Sequence, residues 1–309
     1  MSTAPSLQGV VQGPAPPSLR VPEARRPRLV SVVIPVREPG CWLDAQLHAV
    51  AAQDYPGPVE VVVADNGCRD GGLSAARRWA HPRIPLRVVD ARARVGPGTA
   101  RNAGVRASFG DFIAFCDADD VVEVSWLSKL VATAGQADVV GGSLETARLN
   151  SSKARASYGV TDPAAAHLSF LPVAAAANLG VWASVFEELG GFDEGSRTGE
   201  DVAFSWKAQL RGYRFAASDA VVHKRLPTSH LDGMRRFFFY GMGDAWLYRE
   251  FRRAGMPRRS RRSALEMLRR LSSGGSSVSE LAGRAPWWIV LALTCGRALG
   301  CVRYRVRFG

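Results

Sequence analysis

Residues 29–36 form an almost uninterrupted apolar run rich in β-branched side chains. Such a run is typical of a strand that is buried on both faces of a parallel sheet. Similar runs recur at 59–64, 86–89 and 112–116, and segments with helical spacing separate them at 41–53, 70–80 and 99–108. This alternation predicts an α/β fold with a mostly parallel central sheet and helices on both faces.

The second half of the chain is less regular. We predict helices at 126–133, 183–189 and 199–210, strands at 137–142 and 215–223, and a loop at 146–165. A leader rich in proline, serine and glycine at 1–28 is expected to be disordered, because it has too little apolar surface to bury. The remaining chain divides into a main domain at 29–226 and a basic, aromatic-rich helical tail at 227–309.

Two of the predicted strands end in carboxylates, Asp65 and Asp117. In open parallel sheets, ligands bind at the carboxyl ends of the strands, so these side chains are expected at one rim. The segment Asp117-Ala118-Asp119-Asp120 places carboxylates at alternate positions, and Mg²⁺ or Mn²⁺ prefers such oxygen ligands. The alternative is a solvated acidic turn, or a cap for the helix that follows.

A series of short segments carries a family resemblance. They are VSVVIPV at 30–36, QDYP at 53–56, VVVADNG at 61–67, ARNAG at 100–104, DFIAFCDADD at 111–120, GGFDE at 190–194 and GED at 199–201. In this order they resemble the inverting glycosyltransferases of family 2. The resemblance covers about residues 29–226 and implies a GT-A fold, with a nucleotide-binding half at 29–120 and an acceptor half at 121–226.

The resemblance also implies a donor site. It assigns nucleotide-sugar contacts to Pro35, Val36, Arg37, Asp65, Arg101 and Asp117. Asp65 would accept a hydrogen bond from the base, Asp117 would hold the ribose, and Arg101 would lie near the nucleotide, where a cation suits phosphate charge. Asp119 would bind the Mn²⁺ or Mg²⁺ that bridges the diphosphate, and Asp117 and His223 are further candidate metal ligands.

The resemblance places the catalytic base at the start of the helix predicted at 199–210. Asp201 would be the base, beside Glu200 as a second catalytic candidate. The acceptor site is assigned to Gly191, Phe192, Asp193 and Glu194. A single displacement of the nucleoside diphosphate would invert the anomeric carbon. It needs a divalent cation at the leaving diphosphate and a carboxylate that takes the proton of the acceptor hydroxyl.

Each assignment has an alternative. Asp65 is also what a strand-end turn requires, and Glu200 and Asp201 also suit the dipole of a helix N-terminus. His223 is equally consistent with a partly buried histidine, and Arg101 with a solvated charge on a helix face.

The chain also departs from the family pattern. It has Val36-Arg37-Glu38 where Tyr-Asn is frequent and Ala64-Asp65 where paired acids are frequent, which leaves the nucleotide open. Ser205-Trp206-Lys207 stands where an arginine is frequent. The Gln-x-x-Arg-Trp motif of processive synthases is absent from the sequence, which argues against long-polymer synthesis.

The predicted function is therefore that of a hexosyltransferase-type enzyme in the synthesis of cell-envelope, lipid-linked or polysaccharide glycoconjugates. Its substrates would be a nucleotide-diphospho-sugar and a hydroxyl acceptor. A nucleotidyltransferase on a similar sheet is the alternative. A dinucleotide enzyme is disfavoured because Gly-x-Gly-x-x-Gly is missing after the first strand.

The positive charge of the chain is concentrated in its tail. Residues 1–223 contain 22 basic and 23 acidic side chains, whereas the residues after 223 contain 18 basic and 5 acidic ones. The aromatic segment 234–251 and the apolar segment 286–293 accompany this charge, which predicts attachment to an anionic membrane surface. The expected location is peripheral, at the cytoplasmic face of the cell membrane.

Two alternatives concern the tail. Its aromatic side chains could instead close the acceptor side of the main domain. The rival function is nucleic-acid binding through the tail, since clustered arginines fit phosphate contacts. No helix-turn-helix, zinc-finger or RNA-binding signature accompanies these arginines, so no nucleic-acid partner is expected.

Overall fold

The computed structural model describes residues 25–69, 71–158, 170–227, 229–258 and 286–308, and an eight-stranded sheet lies at its centre. The strands are β1 (Val30–Val36), β2 (Val59–Asp65), β3 (Leu86–Asp90), β4 (Phe112–Cys116), β5 (Val121–Val122), β6 (Val139–Glu145), β7 (Asn178–Trp182) and β8 (Phe215–His223). The helices are α1 (Trp42–Ala51), α2 (Ser74–Arg77), α3 (Pro97–Arg106), α4 (Trp126–Ala134), α5 (Ser152–Tyr158), α6 (Ala183–Glu188), α7 (Glu200–Leu210), α8 (His230–Phe251) and α9 (Trp287–Tyr304), with a 3-10 turn at Arg252–Ala254.

The strand order is β3-β2-β1-β4-β7-β6-β8-β5. The first four strands are parallel, with Val36 opposite Asp65 and Val33 opposite Phe115. Every residue of β4 is buried, because its five side chains are apolar and helices cover both faces of the sheet. The parallel register brings the carboxyl ends of β1, β2 and β4 to one edge, as the sequence predicts. The predicted α/β fold is confirmed.

The other half of the sheet contains a strand that the sequence did not predict. β7 runs antiparallel between β4 and β6, and all five of its residues are buried. Its sequence, Asn-Leu-Gly-Val-Trp, neither alternates nor forms a β-branched run. Gly180 is required at its centre because an added Cβ would lie 2.6 Å from the Phe112 ring.

Three further expectations need correction or limitation. The predicted loop at 146–165 contains the helix α5 at Ser152–Tyr158, and 159–165 lie outside the described residues. The helix expected at 70–80 is the single turn α2. Of the leader, residues 1–24 lie outside the described part, whereas Arg25 pairs with Asp138 and Arg28 pairs with Asp111.

The helices α8 and α9 form the C-terminal extension. Side chains of α8 pack on α7 in a hydrophobic cluster that contains Trp206, Trp246, Leu247 and Phe251. The rings of Trp206 and Phe251 meet edge to face with centroids 5.2 Å apart. The extension therefore shares a core with α7, and a domain boundary at residue 226 stays a prediction.

Glycines bring α9 into close contact with α8. A Cβ added at Gly296 would overlap the carbonyl oxygen of Phe238, and one added at Gly300 would lie 2.8 Å from the Cβ of Ala245. Arg297 on α9 also pairs with the buried Asp244 on α8 at 2.7 Å. Among the described residues, no helix combines the length and the apolar character that are needed to cross a membrane.

Candidate active site

A cluster of three carboxylates follows β4. One carboxylate oxygen from each of Asp117, Asp119 and Asp120 lies within 4.8 Å of the other two. They occupy this place because the fully buried β4 ends at Cys116, at the edge where the parallel strands terminate. The predicted acidic turn is thus a compact group of oxygen ligands.

Two cations hold Asp117 in place. Arg101 donates to its Oδ1 at 2.7 Å, and Lys224 donates to its Oδ2 at 3.1 Å. Burial alone would raise the pKa of Asp117, but Lys224 and Arg101 outweigh burial and hold that pKa well below its ordinary value. Asp117 is therefore ionised and fixed in orientation.

Asp120 has a structural position. It is fully buried, and its carboxylate accepts from Lys224 Nζ at 2.8 Å and from the Arg225 backbone N–H at 2.8 Å. Burial, with the nearby charges of Asp119 and Asp117, raises the pKa of Asp120 to about 6 although Lys224 opposes the rise. Asp120 therefore braces the turn from within.

Asp119 differs from both neighbours. Among the described residues, no hydrogen bond or ion pair reaches its carboxylate, and its backbone carbonyl accepts from Arg225 Nε at 3.1 Å. Its side chain lines the large cavity described below. Of the three acids, Asp119 is the one whose oxygens are available to a ligand.

Arg101 links the acidic turn to α7. Its guanidinium donates to Glu200 at 2.9 Å as well as to Asp117, and Arg101 is only 5% exposed. The alternative interpretation as a solvated charge is therefore wrong. Burial alone would lower the pKa of Arg101, but Asp117 and Glu200 outweigh burial and raise that pKa. Arg101 is thus a charged crosslink between α3, β4 and α7.

Glu200 and Asp201, in the first turn of α7, have different environments. Glu200 is buried, and burial together with the neighbouring Asp201 charge raises its pKa to about 7, against the effect of Arg101. Asp201 accepts from the Ala176 backbone N–H at 3.0 Å and lines the cavity. Glu200 also lines the cavity, but it is only 5% exposed and bonded to Arg101, whereas Asp201 is half-buried. Asp201 is therefore the more accessible of the two acids.

The cavity has a volume of about 500 Å³. Its lining includes Arg101, Asp117 and Asp119 at the acidic turn, and Glu200 and Asp201 at the start of α7. α8 supplies a wall that includes Arg236 and further polar and aromatic residues, among them Arg235, Phe237, Phe239 and Tyr240. The alternative in which the tail aromatics close the site agrees with this wall.

The predicted acceptor residues form a braced loop between α6 and α7. Asn102 accepts from Phe192 N at 2.9 Å and donates to Glu194 at 2.9 Å. Gly191 has a φ of 69°, and Asp193 caps its own turn by accepting from the backbone N–H groups of Gly195 and Ser196. None of the four predicted residues is among the residues that line the cavity in the described part of the chain. Their acceptor role therefore stays a prediction.

The other predicted donor residues lie at the same sheet edge but outside the cavity lining. Val36 is buried, Pro35 is half-buried, and Arg37 is exposed. Asp65 accepts from the backbone N–H groups of Gly67 and Cys68, at 3.0 and 2.9 Å, which is the predicted turn geometry. A role in base recognition stays a prediction for each of them.

His223 lies at the end of β8. Its Nδ1 lies 2.7 Å from Glu145, and its Nε2 lies 3.0 Å from Arg148. His223 is outside the group of acids that could hold a metal. Both ring nitrogens therefore have protein partners in this structure, and its role as a metal ligand stays a prediction.

Sequence reasoning missed Lys224, which forms ion pairs with two acids of the turn, Asp117 and Asp120. The sequence contained a clue, because Lys224 directly follows the strand predicted at 215–223. In the structure it reaches the edge of the sheet where those acids lie. It also missed Arg236 and Tyr240, whose spacing of four residues places them on the same face of α8.

Comparisons with known proteins show the family of this chain. The family model described as Glycosyl transferase family 2 matches residues 31–183. Glycosyltransferase AglE of Haloferax volcanii is 31% identical over 221 residues, which are 69% of this chain and 72% of AglE. The chain belongs to glycosyltransferase family 2. A second relative of this family 2 glycosyltransferase, the pre-mycofactocin glycosyltransferase of Mycobacterium tuberculosis, is 29% identical over 249 residues, which are 76% of this chain and 50% of the relative.

Solved structures support the fold. Mannosyltransferase PcManGT from Pyrobaculum calidifontis, solved with GDP-Man and Mn²⁺, has a TM-score of 0.57 and 19% identity, and the match covers 94% of this chain and 77% of PcManGT. Residues 1–349 of S. aureus TarS, solved with UDP-GlcNAc, have a TM-score of 0.50 and 20% identity, with 71% and 66% covered. The GT-A fold and the glycosyltransferase class predicted from the sequence are confirmed.

Proposed function

We propose that this family 2 glycosyltransferase transfers a sugar from a nucleotide-diphospho-sugar to an acceptor hydroxyl, with inversion at the anomeric carbon. The observation that carries the proposal is one cavity lined by both Asp119 and Asp201. Asp119 is the acid of the turn that has no protein partner among the described residues, and Asp201 is the more exposed of the two acids at the start of α7. PcManGT and TarS, which share the fold, were solved with GDP-Man and UDP-GlcNAc.

The residues at the acidic turn fit a divalent cation. The three clustered acids offer oxygen atoms, which Mn²⁺ and Mg²⁺ prefer, and Asp119 has no competing partner among the described residues. Asp119 would hold the ion, with Asp117 as the second candidate. When bound, such an ion neutralises negative charge on the diphosphate leaving group.

The chain's own residues would perform the remaining work. Asp201 would take the proton from the acceptor hydroxyl while the oxygen of that hydroxyl bonds to the anomeric carbon and the bond to the diphosphate breaks. The hydrogen bond from Ala176 N fixes the Asp201 carboxylate for this step. Arg101 would act indirectly, because it holds Asp117 and Glu200 in position.

A panel of nucleotide sugars tests the proposal. We expect hydrolysis of one donor that requires Mn²⁺ or Mg²⁺ and stops in EDTA, and we expect Asp119→Asn to abolish it. Asp219→Asn is the matched control, since Asp219 is exposed on β8 and does not line the cavity. Equal turnover in EDTA or in the Asp119 variant would refute the metal assignment.

We also propose that α9 rests on an anionic membrane surface at the cytoplasmic side of the cell, where a lipid-linked or cell-envelope acceptor would be available. The face of α9 turned away from α8 is apolar, and its exposed residues are Trp287, Leu291, Cys295, Ala298, Leu299 and Val302. Arg305 and Arg307 directly follow α9 and are exposed. An apolar helix face beside cations suits an anionic interface.

A further inference from the structure

A second cavity of about 300 Å³ adjoins the active-site cavity. Three arginines from three different parts of the chain line it: Arg94 before α3, Arg197 before α7, and Arg303 on α9. The two cavities share a wall that includes Thr198, Phe239 and Gly243. We call the second cavity the arginine pocket.

The arginine pocket concentrates positive charge without a counter-charge. No acidic side chain lines it among the described residues, and none of its three arginines has a carboxylate within ion-pairing distance in the described part of the chain. Arg101 and Arg297, by contrast, each pair with a carboxylate. Like charges around one small volume repel each other, so an anion that enters the pocket is stabilised.

The backbone under each arginine is held firmly. The side-chain amide of Asn66 donates to the carbonyl of Arg94 at 2.9 Å and its oxygen accepts from Gly96 N at 2.9 Å, which fixes the loop before α3. Thr198 donates to the carbonyl of Phe239 at 2.9 Å, which fixes the loop that carries Arg197. The guanidinium of Arg197 also lies 4.5 Å from the centroid of the Phe239 ring.

The support for Arg303 is the close packing of α9 on α8. Gly296 and Gly300 allow this packing, and the Arg297–Asp244 ion pair reinforces it. The three charged side chains are therefore carried by supports that are fixed relative to one another. Such an arrangement is preorganised, which lowers the ordering cost of ligand binding.

We propose that the arginine pocket binds a phosphate group, and that this phosphate belongs to the acceptor. Arginine forms paired, charge-assisted hydrogen bonds with phosphate oxygens. The group is assigned to the acceptor because Asp117 and Asp119, where the donor diphosphate would lie, do not line the pocket. A molecule anchored in the pocket can reach the active-site cavity across their shared wall. This inference rests on the proposed function, which places the acceptor in that cavity.

Titration calorimetry on the full-length protein tests the proposal, with inorganic phosphate and butyl phosphate as probes at low ionic strength. EDTA is present so that a metal-dependent diphosphate site does not contribute. Wild-type protein is expected to bind both probes. In the double variant Arg94→Gln/Arg303→Gln, affinity is expected to fall by about tenfold or more for each arginine removed. The matched control Arg305→Gln/Arg307→Gln removes two exposed arginines outside the pocket and is expected to bind as wild type does.

Four outcomes would overturn the proposal. They are absence of phosphate binding by the wild-type protein, unchanged phosphate affinity in the Arg94/Arg303 variant, equal loss in the control, and binding of inorganic phosphate without binding of the ester. The last outcome would assign the pocket to free phosphate instead of an acceptor. Donor hydrolysis by the same wild-type sample separates this test from the proposed function. Hydrolysis without phosphate binding refutes the pocket alone. Phosphate binding without turnover of any donor refutes the proposed function, and with it the assignment of the phosphate to an acceptor, but leaves the phosphate site itself in place.

Discussion

The Arg101 crosslink should make a large and pH-dependent contribution to stability. Arg101→Met removes a guanidinium whose side chain is 6% exposed and leaves Glu200 buried without its cation. Breaking a buried ion pair by removing one partner costs about 3–5 kcal/mol. Asp117 retains Lys224, so most of the cost falls on Glu200. The expected loss in the free energy of unfolding is therefore about 3–5 kcal/mol at pH 8.

The pH dependence follows from Glu200. Its folded-state pKa of about 7 is already above the ordinary value of 4.5, and removal of Arg101 raises it further. A carboxyl group whose pKa is raised on folding favours the folded state at low pH, and that contribution is lost as the pH rises through the folded pKa. The difference between variant and wild type should therefore be smaller at pH 5.5, where Glu200 is protonated in both proteins, and should grow above pH 7.

Urea denaturation at pH 5.5 and pH 8 measures both effects. Arg92→Met is the matched control, because the Arg92–Asp90 pair is exposed and its loss should leave the urea midpoint unchanged. Arg101→Lys keeps the positive charge but cannot bond to both carboxylates as the guanidinium does. We therefore expect its urea midpoint to lie between those of Arg101→Met and the wild type. An Arg101→Met midpoint equal to wild type at pH 8, or a difference that does not depend on pH, would refute the reasoning.

Three other predictions follow from the site and the extension. Asp201→Asn should lower kcat by about 10²–10⁴-fold while the donor Kd measured by calorimetry stays the same, and loss of donor binding would instead make Asp201 a binding residue. Gly296→Leu should lower the free energy of unfolding by about 1–3 kcal/mol, because the leucine side chain would overlap the α8 backbone. The control Ala298→Leu, on the exposed face of α9, should change that free energy by no more than about 0.5 kcal/mol. Leu291→Asp combined with Leu299→Asp should abolish sedimentation with anionic vesicles, and unchanged sedimentation would exclude α9 as the membrane face.

The sequence predicted the parts of the fold whose signal is local. β4 and β8 begin and end at the predicted residues, 112–116 and 215–223. Glycine or charged residues flank both segments in the sequence, at 110–111 and 117 for β4 and at 212 and 224 for β8. β7 could not be predicted, because its burial comes from pairing with β4 and β6 on both sides and its central glycine is required by the ring of Phe112.

The site divides in the same way. Asp119 and Asp201 were identifiable from short motifs, and both line the cavity. The bridge from Arg101 to Glu200 joins residues 99 positions apart, so no local pattern could reveal it. Arg236 and Tyr240 were visible as an aromatic, basic segment, but only the packing of α8 on α7 turns that segment into a wall of the cavity.

The ion pairs around Asp117 also limit how this chain can be recombined with its relatives. Arg101 and Asp117 come from the first half of the chain, whereas Glu200 and Lys224 come from the second half, and all four are bonded in one group. A chimera with a breakpoint between β4 and β7 takes two members of this group from each parent. If the two parent proteins carry these charges at different positions, the chimera would contain an unpaired charge beneath the active site, although each parental half is intact. Productive breakpoints should therefore lie before α3 or after Lys224, so that the four residues are inherited together.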